Sequence, residues 1–128
     1  MSPADRLRPH PEDRFAEPVQ LLDLQAAAAR LRAEPHDAIR GHRQIALFRS
    51  GPVTLVLFTL EAGAHLTEHR TDGVVTIHLL GGKIDVGFDG GMHQLSPGQV
   101  VALAPGVHHE VRADAPSEML LSVHQSAG

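Results

Sequence analysis

From residue 41 onward the chain is cut into short apolar runs by turn chemistry, and that rhythm restricts its fold more than any other feature. The runs cover 44–48, 53–60, 65–69, 74–80, 83–88, 100–103, 109–112 and 119–123. Between them stand Ser50-Gly51-Pro52, Asp72-Gly73, Gly81-Gly82, Asp89-Gly90-Gly91 and Ser96-Pro97-Gly98, residues that supply the positive φ angles and fixed φ that tight turns require. Breaks at roughly eight to twelve residues are the spacing of a β-sandwich or barrel. Connections this short join neighbouring strands antiparallel, because a parallel pair needs a crossover of about a dozen residues or more.

The segment before this region is different. Residues 1–19 hold Pro3, Pro9, Pro11 and Pro18 among many charges and read as an arm without a core of its own. From Asp23 the pattern is helical: Leu24, Ala28 and Leu31 follow i, i+4, i+7, and Asp23 has the side chain of an N-cap. Arg30 and Arg32 suit the negative end of the helix dipole, and Pro35 stops the helix. The expected organisation is an N-terminal arm and helix over 1–40 and one β domain over 41–125, a reasonable size for a chain of 128 residues.

Composition narrows the function. Eleven Lys and Arg against 15 Asp and Glu give a net charge of −4, so no basic excess exists to gather phosphates; without Tyr or Trp, few aromatic faces remain for base stacking. Nucleic acid is not an expected partner. No apolar run approaches the length of a membrane span, and the N-terminus lacks the layout of a signal peptide, so a cytoplasmic protein with no membrane partner is expected. Cysteine is absent, which removes disulfides and thiolate sites and leaves nitrogen and oxygen donors for any metal. Ten His are present, six of them from His65 to His109.

Two segments carry these histidines. The first runs from Gly63-Ala64-His65-Leu66-Thr67-Glu68-His69 through Asp72-Gly73 into Val74-Val75-Thr76-Ile77-His78-Leu79-Leu80-Gly81-Gly82. The second is Gly98-Gln99-Val100-Val101-Ala102-Leu103-Ala104-Pro105-Gly106-Val107-His108-His109. Together they resemble the two motifs of the cupin superfamily: Gly, five residues, His-x-His, three or four residues, Glu, six residues, Gly; then Gly, five residues, Pro-x-Gly-x-x-His. Gly63, His69 and Gly82 match the first, and Gly98, Gly106 and His109 the second. Thr71 stands at the second His, Val75 at the Glu, and Ala104 at the Pro. The resemblance runs from about residue 45 to 123 and is to small single-domain bacterial cupins. It implies a mainly β fold, a small antiparallel cupin-type β-barrel (double-stranded β-helix or jelly roll), here with one N-terminal helix. It also implies a homodimer pairing through strands such as 74–80 or through the arm.

Two of the four usual cupin ligands are therefore replaced, leaving His69 and His109. A catalytic ion ordinarily takes about three protein ligands and an open position. His65 is the candidate third ligand, since in an extended segment His65, Thr67 and His69 share a face. The expected ion is a divalent metal, Fe, Mn, Ni or Zn. The other reading makes His69 and His109 two neutral, hydrogen-bonded imidazoles in a polar pocket. With Val75 facing inward, Thr76 and His78 face outward, and His108 has the opposite parity to His109; His93 is read as a surface residue. Three functions follow: a metal-dependent cupin acting on a small molecule, a metal-free small-molecule binder or sensor, and a structural dimer with a filled interior. The reaction, if any, is not encoded in these motifs.

Overall fold

A computed structural model describes residues 15–69 and 71–125 of the chain, Glu68 and His69 by their backbone alone. The first fourteen residues of the expected arm thus lie outside the described residues. The helix forms where its caps stand. α1 (Leu24–Arg32) opens at Asp23, whose side chain accepts from the Ala26 amide at 3.0 Å, and Arg30 and Arg32 occupy its last turn. Ala27, Ala28 and Leu31 are its buried residues. Ala27 and Ala28 pack on Leu57, with Ile45, Leu47 and Leu80 around them.

Nine strands follow: β1 (His42–Ser50), β2 (Val53–Leu60), β3 (His65–His69), β4 (Val74–Gly81), β5 (Ile84–Phe88), β6 (Gly91–Leu95), β7 (Val100–Leu103), β8 (His109–Ala113) and β9 (Ser117–His124). Every pairing between them is antiparallel. They form a five-stranded sheet in the order β1-β2-β9-β4-β7 and a four-stranded sheet in the order β3-β8-β5-β6. This is the jelly-roll arrangement, as two facing sheets rather than one closed barrel. β6 is absent from the sequence reading. Its residues are exposed except Leu95, and it pairs with β5 alone, so as an edge strand it shows no apolar alternation.

The period of two is clear wherever a strand has one wet face. In β8, His109, Val111 and Ala113 are buried while Glu110 and Arg112 are exposed. In β4, Val75, Ile77 and Leu79 point inward. The inner faces interdigitate as one core, with Phe58, Leu60, Leu103, Met119 and Leu121 from the large sheet meeting Ile84, Val86, Leu95 and Val111 from the small one. Each fully buried aliphatic side chain contributes about 1.5–3 kcal/mol relative to exposure. α1 covers the outer face of the large sheet at its β1-β2 end. Among the described residues no helix is long and apolar enough to cross a membrane.

Candidate functional site

The site is built by two loops tied together. Gly106, at φ 83°, turns the chain out of β7 in a conformation that favours glycine, and its amide donates to the Thr71 carbonyl at 2.8 Å. The Thr71 hydroxyl donates to the Gly73 carbonyl at 3.0 Å. The β3-β4 and β7-β8 connections therefore meet at one end of the sandwich, and β8 starts there with His109.

His109 is 2% exposed. Its Nδ1 lies 3.2 Å from the Val107 carbonyl oxygen, which can only accept, so Nδ1 carries the proton and Nε2 the lone pair. That tautomer presents Nε2 as a base or metal donor. On one side His109 pairs in register with Phe88 of β5; on the other it pairs with His69 of β3. The His69 side chain lies outside the described residues; its backbone stands directly across the ladder from His109. A small cleft of about 110 Å³ opens beside His109 between Phe88, Asp89, His108 and Glu110.

His65 is elsewhere. A register shift between Leu66 and His69 interrupts the alternation, so Leu66 packs against the core and His65 stands on the outer face of the small sheet. There its Nε2 is 3.0 Å from Glu110 Oε2, with both side chains substantially exposed. The even-spacing argument that grouped His65 with His69 fails at this bulge, and the structure does not bring His65 to His109.

The two replaced positions have structural occupations. Val75, at the carboxylate position, is 2% exposed and belongs to the core. Thr71, at the second His, holds its own loop. His78 is half-buried on the outer face with Thr76, as the strand parity required. His93 is exposed and lies against Phe88 in a tilted ring contact, centroids 5.2 Å apart. Among the described residues no group of three or more His, Asp or Glu is placed to hold a metal ion.

Two titratable side chains that the sequence reading passed over lie at the start of β1. Burial, and secondarily the Arg40 guanidinium, hold the His42 imidazole below its ordinary value of 6.5. Its Nδ1 and the Nη1 of Arg43 are both shut off from water with no hydrogen-bond partner. Nothing in the local sequence marks them; as neighbours on β1 they face opposite ways, His42 toward Phe58 and Arg43 toward the cavity beside Ala38 and Gly41.

Two facing antiparallel sheets with a histidine opening the strand after a Pro-Gly turn define a jelly-roll domain of cupin type. The family model for the cupin domain matches residues 56–124, more than half of the chain, and the protein belongs to that family. No curated protein matches it. Among solved structures it is similar to a conserved protein of unknown function from Streptococcus pyogenes, at 20% identity over 88% of this chain and 92% of that one, with a TM-score of 0.70. A cupin superfamily protein from Desulfitobacterium hafniense DCB-2 gives 19% identity over 88% and 96%, TM-score 0.69. KdgF from a Halomonas species gives 19% over 72% and 87%, TM-score 0.66. These likenesses concern the fold.

Proposed function

We propose that this cupin domain is a binding module in which His69 and His109 hold a divalent metal, Fe, Mn, Ni or Zn, at the loop end of the sandwich. The remaining coordination is left to water or a small polar molecule. The observation that carries this is the register pair His69–His109, with the His109 tautomer presenting Nε2. The chemistry of the donors fits a weak two-imidazole site and does not fit the four-ligand site of the motif, because Val75 offers only methyl groups where a carboxylate would neutralise the ion. A bound ion would supply Lewis acidity; the chain's own contribution is to fix the imidazole tautomer through Val107 and to wall one side of the site with apolar side chains.

Elemental analysis of protein purified without chelator or affinity metal tests this, beside a His69→Ala/His109→Gln double variant. Near-stoichiometric metal in the wild type that is lost in the variant is the expected result. Absence of metal after anaerobic reconstitution with Fe(II), Mn(II), Ni(II) and Zn(II) would leave the metal-free binder, which the apolar Val75 and the locally tied Thr71 favour.

A homodimer is part of the proposal. Val74 and Val100 are 40% and 53% exposed on the outer face of β4 and β7, beside Thr76, His78 and Ala102. That patch has no carboxylate, Lys or Arg, and an isologous contact sets a surface against itself, which an uncharged patch tolerates. Light scattering at micromolar concentration should give twice the chain mass, and Val100→Lys should return the monomer.

A further inference from the structure

On the opposite face of the large sheet from His109, a row of register partners crosses three strands: Arg43 of β1, Thr59 of β2 and Glu118 of β9. The last turn of α1 stands over this row. Arg32 reaches down from it, placing Nη2 at 2.9 Å from Glu118 Oε2. Between the helix end, the 38–41 segment and the row lies a cavity of about 290 Å³, its lining including Arg32, Ala38, Gly41, Arg43, Thr59 and Glu61.

Of the two guanidinium groups lining this cavity, only one has a salt-bridge partner among the described residues. Arg32 is matched by Glu118, whereas Arg43 forms no ion pair among the described residues and its Nη1 is closed off from water without an acceptor. A guanidinium stays protonated at any physiological pH, so it cannot escape the cost of burial by losing its proton. The planar fork of Arg matches a carboxylate in two parallel hydrogen bonds. With one unmatched cation, and with the Glu61 carboxylate also in the lining, a singly charged anion is favoured over a dianion. The volume is at the lower end for small-molecule sites, and Ala38 with its neighbours offers a surface for a hydrocarbon stem.

We propose that this corner binds a small organic monocarboxylate, gripped by Arg43 and steadied by the Arg32–Glu118 pair. It is separate from the histidine end and does not depend on a metal there.

The test is amide chemical-shift titration of the full chain with propionate, benzoate, succinate and inorganic phosphate. Saturable shifts centred on Gly41, Arg43, Thr59 and Ala62 with propionate or benzoate, at dissociation constants of about 1 mM or tighter, are expected. Arg43→Met should weaken this at least about tenfold, a loss in keeping with a charge-assisted bidentate contact, and should not lower the melting temperature of the ligand-free protein. Glu61→Gln, a change at an exposed residue, should tighten binding severalfold and keeps the question open to measurement even if the Arg43 variant misfolds. The proposal is overturned if no carboxylate saturates, if affinity survives Arg43→Met, if Glu61→Gln leaves affinity unchanged or weaker, or if phosphate alone binds.

Discussion

His69 and His109 are direct cross-strand partners on β3 and β8, and the bulge between Leu66 and His69 is what aligns them. The same bulge turns His65 to the other face, onto Glu110. One irregularity of one residue thus keeps His65 apart from the proposed His69–His109 site. His65→Ala is accordingly expected to leave the metal content of the protein unchanged and to shift its stability by less than about 1 kcal/mol, the range of exposed ion pairs. Loss of metal in that variant would return His65 to the site.

Val75 offers the converse experiment. Val75→Glu puts a carboxylate at the motif's ligand position but into a core where the valine is 2% exposed. Without metal it should destabilise the fold by on the order of 3 kcal/mol, because a buried carboxyl lacks a partner there. If the site is at His109, Mn(II) or Zn(II) at a hundredfold excess over its dissociation constant should recover about 2.7 kcal/mol. Melting curves with and without metal read both quantities, and a variant indifferent to metal would count against the placement.

The half-buried His42 makes stability depend on pH with a definite sign. Its folded imidazole titrates below 6.5 because burial, then Arg40, opposes the charged form. Between that lowered value and 6.5 the unfolded chain binds more protons than the folded one, so stability falls as pH drops through 6.5 and levels off below the folded value. His42→Leu, an apolar replacement beside Phe58, should flatten this part of the melting-temperature profile between pH 7.5 and 5. An unchanged slope would assign the effect to other histidines.

Two aliphatic truncations should differ although both side chains are nearly fully buried, Leu31 at 2% and Ile77 at 0% exposure. Ile77 lies between two sheets that cannot close over a void, and Ile77→Ala should cost about 4 kcal/mol. Leu31 projects from a single helix able to settle onto the sheet, and Leu31→Ala should cost about 2–3 kcal/mol. Urea unfolding measures both, and equal losses would mean that α1 is held as rigidly as the sheets.

Much of the fold was legible in the chain because its rules are local. Turn residues such as Ser96-Pro97-Gly98 mark breaks whatever surrounds them, and Asp23 caps α1 by bonding three residues ahead. With Val75 set inward by the motif resemblance, alternation in 74–80 placed Ile77 and Leu79 inward and His78 outward, and the strand obeys it without interruption up to Leu79. β6 was not legible: with one neighbour and little buried surface, Met92, His93 and Gln94 are held by the β5 ladder rather than by apolar contacts.

The sequence by itself determined the strand rhythm, the helix and the cupin motif order, since each depends on residues close together along the chain. Only the tertiary structure decided that His69 stands opposite His109 in the ladder while His65 meets Glu110, because a bulge depends on how β3 meets β8 and leaves no mark in residue types. It also decided that Arg43 lines a cavity, since that arises where the end of α1, β1 and β2 come together from residues distant in sequence.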